Sequence, residues 1–132
     1  MCTVSAPVRL SMPMDDHAPG RARLFLAEAH CPAHNTSVLD EATLLVSELV
    51  TNAVLHGAPP ITLEIECDGA AGMQVRVSDG SEAPPALRHP DDEDEHGRGV
   101  VLVDLLSDAW GVDPTPNGKA VWFRLRPDGS GP

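Results

Sequence analysis

A chain of 132 residues suits one domain around one core, and 42% apolar residues suffice to build that core rather than leave the chain disordered. A formal charge of −11, from 20 acidic and 9 basic residues, argues against nucleic acid or an anionic membrane as partner, because both reward clustered Lys and Arg. With two Trp, two Phe and no Tyr, the core must be aliphatic and no aromatic platform is available for stacking bases.

Thr3 to Leu10 reads as a strand kept near a sheet edge by Pro7. Pro13 to Gly20 is a turn-rich joint, and Arg21 to His30 carries Leu24, Phe25, Leu26 and Ala29 at amphipathic-helix spacing. Pro32 marks the break from Cys31 to Asn35. Ser37 with Asp40 has the spacing of a capping box at the head of a long helix that stops at Gly57. Ile61 to Asp68 and Met73 to Ser78 alternate and predict an antiparallel hairpin. Asp79 to His96 contains three prolines and the acidic run Asp91 to Glu95, which as a charge run reads as a solvated, mobile loop. Gly97-Arg98-Gly99 precedes a short apolar helix. Trp110 to Thr115 and Lys119 to Arg126 then pair around Asn117-Gly118, a strong hairpin turn. The tail from Pro127 is expected to fray. The order of elements predicts an α/β (α+β) two-layer sandwich, a mixed and mostly antiparallel sheet with helices on one face.

Cys2, Cys31 and Cys67 are odd in number and widely spaced, with no CxxC pair. They match neither a zinc spacing nor a disulfide framework, so incidental thiols in a reducing cytosol are expected. Residues 1–30 lack the basic start and continuous apolar core of a signal peptide, and no run is long enough to span a bilayer. A soluble, cytoplasmic protein is expected, with basic partner surfaces favoured over acidic ones.

The chemistry centres on Ala42 to Gly57, ATLLVSELVTNAVLHG. Leu44, Leu45, Val46, Leu49, Val50, Ala53, Val54 and Leu55 would all seek a core. Glu48, Asn52 and His56 nevertheless recur at i, i+4 and i+8 and share one face. A carboxylate on so apolar a helix is costly unless something compensates it, so the stripe reads as the border of a ligand cavity. The plainer alternative is a carboxylate satisfied by nearby backbone. Asn52 offers a neutral oxygen suited to magnesium, and Asp79, where a strand meets a loop, can accept a hydrogen bond from an exocyclic amine. Gly97 and Gly99 let backbone N–H groups approach phosphates at a helix N-terminus. Taken singly, Asn52 is an ordinary structural hydrogen-bonder, Asp79 an ordinary turn residue and GRG a weak pattern. Arg98 either reaches a phosphate or is solvated; His56 either holds Glu48 or a backbone group, or packs at the helix end.

Together these stretches resemble the GHKL (Bergerat-fold) ATP-binding superfamily over about Thr3 to Arg126, and within it the anti-sigma-factor serine/threonine kinases. SELVTNAVLHG resembles the N box, VSDGS the first glycine box, HGRGVVLVDLLSDAWGV the second, and GKAVWFRL the closing strand. The resemblance implies one ATP-binding domain over residues 1–132, with a lid at about 81–96 that contains the acidic run. It implies Glu48 as catalytic base, Asn52 as ligand of Mg2+, Asp79 on the adenine amine, and Gly97, Arg98, Gly99 and Val100 at the phosphates of ATP. Activity would be phosphoryl transfer to a serine of an anti-anti-sigma protein, with a sigma factor as sequestered target; homodimers are usual among such proteins. Ser81 and Glu82 depart from the usual glycine, and Ala120 stands where many relatives have Thr or Ser, which removes a hydroxyl expected near the phosphates. A non-catalytic protein-binding module of the same fold is the alternative. The catalytic domain of a sensor histidine kinase is disfavoured, because no dimerisation helix or phospho-acceptor segment precedes Thr3. Gyrase-like ATPases need far more chain.

Overall fold

Two helices, α1 (Ala18–Ala29) and α2 (Leu39–His56), pack on one face of a five-stranded sheet in the computed structural model, which describes residues 7–82 and 103–127. The strands are β1 (Val8–Met12), β2 (Ile61–Cys67), β3 (Met73–Asp79), β4 (Ala109–Thr115) and β5 (Gly118–Leu125), in the sheet order β1-β2-β3-β5-β4. Every pairing is antiparallel, which refines the mixed sheet expected from the sequence. One crossover helix would return the chain parallel, but two lie between β1 and β2, so β2 begins opposite Met12 and runs back along β1.

Alternation decides which face meets the helices. Ile61, Leu63 and Ile65 of β2 are buried with Met73, Val75 and Val77 of β3 and Val121, Phe123 and Leu125 of β5. Each such side chain contributes about 1.5–3 kcal/mol by leaving water. The intervening residues carry the opposite face, where Arg9 pairs with Glu64 at 3.3 Å and Arg76 with Asp113 at 3.0 Å.

The helices depart from their sequence-based bounds for local reasons. α1 starts three residues before Arg21, because Pro19 sits in the first turn, where a missing N–H costs nothing. The capping box does not form as expected: Ser37 lies in a 3-10 turn (Thr36–Val38), and the N-cap of α2 is Val38, which makes no side-chain cap. Asp40 and Glu41 instead place negative charge in the first turn, against the positive end of the helix dipole.

α2 turns Ala42, Leu45, Val46, Leu49, Val50 and Ala53 into the core. Val54 packs at its margin, but Leu44 and Leu55 are exposed, contrary to the expectation that every apolar residue here is buried. Among 103–127, residues 103–106 are helical, with Val103 fully buried, and Trp110 Nε1 donates to Asp104 Oδ1 at 2.9 Å. No helix among the described residues is long and apolar enough to cross a membrane.

Candidate functional site

At roughly 100° per residue, α2 has two polar flanks, one on either side of its core face. On one, Thr43, Ser47 and Thr51 return their hydroxyls to the carbonyls four residues back, at 2.7, 2.8 and 2.7 Å. This flank meets α1, where Arg23 donates to Ser47 Oγ at 3.3 Å. Glu48 and Asn52 lie on the other flank, away from α1, and both are half-buried. A carboxylate and an amide on a half-buried flank are not stranded in the core. His56, in the last turn, is exposed.

Asp79 ends β3 and is 8% exposed. Its register partner on β5 is Lys119, also 8% exposed, whose Nζ lies 3.2 Å from Oδ1 and 3.0 Å from Oδ2. The Ser81 N–H donates to Oδ1 at 2.7 Å. The Gly80 N–H donates to the Ala58 carbonyl at 2.6 Å, which ties the strand end to the chain leaving α2. Gly57 lets the helix end come this close: a Cβ there would stand 2.7 Å from the Ala53 oxygen and 2.8 Å from the Asp79 Cγ. The turn of β5 also closes on Asp79 through Gly118, where a Cβ would collide with the Asp79 carbonyl oxygen. Asn52 precedes Gly57 by five residues, about 7–8 Å along the axis, and Glu48 lies about 6 Å further back. The flank thus leads away from the buried carboxylate in the order Asn52, Glu48.

The structure describes Glu48, Asn52 and Asp79 of the sequence-based site; Gly97, Arg98, Gly99 and Val100, the acidic run and most of the lid lie outside the described residues. Lys119 was missed. Its burial follows from the β3–β5 register, which the sequence does not reveal; the signal available was a lysine directly after the Asn117-Gly118 turn, opposite a strand ending in Asp. Ala120, where the resemblance leads one to expect a hydroxyl near the phosphates, is the next residue of β5. It pairs with Ser78, one step out of phase with Asp79, so its side chain leaves the opposite face of the sheet. A hydroxyl at 120 would not face Asp79, and its absence takes nothing from this carboxylate.

The histidine kinase-like ATPase domain family matches residues 13–125. The chain belongs to this family. No curated protein matches it. The match spans all the described elements except β1, and membership makes this an ATP-binding domain with the α+β architecture seen here.

The donor set fits the nucleotide that membership implies. The Asp79 carboxylate offers about four acceptor positions; among the described residues Ser81 and Lys119 occupy three, which leaves one on Oδ2 that an exocyclic amine could use. The Asn52 oxygen, half-buried and neutral, suits Mg2+ that keeps several waters. The open hollow at the start of α1, lined by residues between Asp16 and Leu24, includes none of these residues.

Proposed function

We propose that this ATPase domain is a regulatory protein kinase, which binds Mg-ATP along the Asn52–Glu48 flank of α2 and phosphorylates a serine of an anti-anti-sigma-type partner, with a sigma factor as sequestered target. The observation that carries the reading is the buried Asp79 carboxylate at the end of β3. It is fixed from two sides, wedged against the end of the α2 helix, and keeps one acceptor position. Asp79 would take the adenine amine, Asn52 would hold Mg2+ at the phosphates, and Glu48 would lie beyond them. A magnesium ion held by Asn52 would supply charge stabilisation to the transferring phosphoryl group.

Glu48 accepts the proton of the partner's serine hydroxyl as the serine oxygen bonds to the γ-phosphorus. The bond from that phosphorus to the β,γ-bridging oxygen breaks, and ADP leaves with the electron pair. The acidic surface favours a partner with a basic face.

Glu48→Gln is the test of the transfer step. The variant keeps side-chain size, so Mg-ATP affinity should hold. Transfer to a serine-bearing partner, recovered by pull-down from the native cytosol, should fall by about 10²–10⁴-fold, the usual worth of a positioned base. Wild-type protein that binds Mg-ATP yet phosphorylates no recovered partner would overturn the kinase reading.

One observation favours a second reading, a non-catalytic module. Lys119 already neutralises Asp79, so the pair also makes sense as a purely structural lock on the β3–β5 corner. Under that reading the nucleotide gains nothing from Asp79.

A further inference from the structure

The fold brings together two of the three cysteines that look unrelated in the sequence. Cys31 opens the turn after α1, and Cys67 ends β2. Between them stands His34, whose Nδ1 lies 3.5 Å from Cys31 Sγ and 3.5 Å from Cys67 Sγ. The three atoms all fall within 4.8 Å of one another. Both thiols are reduced; Cys31 is buried and the other two residues are half-buried.

We infer that Cys31, His34 and Cys67 form a binding site for a thiophilic d10 cation, Zn2+, with two thiolates, one imidazole and a fourth position for water. Three observations converge. First, the two sulfur–nitrogen distances fit edges of a coordination tetrahedron. Zinc bonds of about 2.3 Å to sulfur and 2.0–2.1 Å to nitrogen, at a tetrahedral angle, separate S from N by roughly 3.5–3.6 Å. Both S···N separations match that edge. Second, the single His34 Nδ1 faces both thiols at once, so three potential ligand atoms of the right chemical type converge on one point. A cation between the three atoms serves all of them.

Third, the surroundings are built to hold the ligands. The turn from Cys31 to Asn35 is closed by the His34 and Asn35 N–H groups, donating to the Cys31 carbonyl at 3.2 and 2.7 Å. The buried Asn35 side chain accepts the Cys31 N–H at 3.3 Å, fixing the Cys-x-x-His spacing on one tight loop. Across the gap, the Gly69 N–H donates to Cys67 Sγ at 3.4 Å. An N–H aimed at sulfur stabilises a thiolate, and second-shell contacts of this kind orient metal ligands. Binding releases the two thiol protons as two S–Zn bonds form, leaving the site neutral apart from its water.

This site is separate from the nucleotide end. Cys67 pairs with Met73, at the start of β3, whereas Asp79 is at its other end, about 20 Å away for a strand of this length. The cation would tie the α1–α2 turn to the end of β2, joining the helical layer to the sheet.

The test uses the full, untagged chain with its thiols reduced. Zn2+ is titrated against a chromophoric chelator, and Co2+ is substituted to report thiolate ligation by its charge-transfer absorption. About one equivalent per chain should bind, with roughly two protons released, and the melting temperature should rise with free zinc. Cys67→Ser and His34→Ala should each weaken binding by roughly 100-fold or more, whereas Cys2→Ser should leave it intact. Cys67 is half-buried, so its serine variant should still fold; ATP affinity in that variant checks this and also keeps failure of the zinc site distinct from failure of the nucleotide reading. Wild-type chain that retains less than a tenth of an equivalent of zinc after gel filtration, or a stoichiometry and affinity that Cys67→Ser leaves unchanged, would overturn the inference.

Discussion

Asp79 and Lys119 carry opposite charges in a place where water barely reaches them, so neither can lose the other cheaply. Asp79→Ala should destabilise the fold by about 3–5 kcal/mol in denaturant titrations, because a buried ammonium remains unpaired. The neutral double variant Asp79→Asn with Lys119→Met should recover most of that loss. Glu64→Gln is the contrast. It breaks the pair with Arg9, whose side chain is 66% exposed, and should cost no more than about 1 kcal/mol. Equal costs for Asp79→Ala and Glu64→Gln would mean that the buried pair is not the lock described. At this scale Asp79 was legible, because a strand ending in Asp-Gly, downstream of a polar stripe on an apolar helix, is a short-range pattern. Lys119 and the Cys31–His34–Cys67 cluster were not. Both depend on which residues the sheet and the inter-helix turn bring together, and a search for paired cysteines passes over a Cys-x-x-His turn completed by a distant Cys.

Helix α2 holds the core and the candidate site on different parts of its circumference, so its rotational phase matters to both. Leu45 is fully buried and Leu44 is 43% exposed, although they are neighbours in sequence. Leu45→Ala should cost about 2–5 kcal/mol, the usual range for a buried leucine. Leu44→Ala should change stability by no more than about 0.5 kcal/mol. Comparable losses in both variants would mean that the helix is rotated from the phase described, and the Glu48–Asn52 flank with it. The sequence gives apolar residues on nearly every side of this helix, so periodicity alone could not choose the phase; packing against β2, β3 and α1 does. Strands β2 and β3 were legible almost to the residue, since an alternating strand with one buried face has only one acceptable phase. The start of α1 was hidden by Pro19 and Gly20, which read as breakers but are tolerated in a first helical turn.

At the scale of the molecule, one sheet carries two chemically different ends. One end gathers Asp79, Lys119 and the end of α2, and the other gathers two thiols and an imidazole. The net charge of −11 would repel a nucleotide's phosphates, and in the proposed complex adenine recognition and magnesium would offset it. In the proposed function, nucleotide selectivity rests on Asp79 reading the base. Inosine triphosphate differs from ATP at the group this carboxylate would meet, presenting a carbonyl where adenine presents an amine. Calorimetric titration of the wild-type protein with Mg-ATP and Mg-ITP, at one ionic strength, measures that contact directly. A hydrogen bond to a charged group is worth about 1.5–3 kcal/mol, so Mg-ATP should bind roughly 10–100-fold more tightly. Equal affinities, or no binding of either nucleotide, would contradict it.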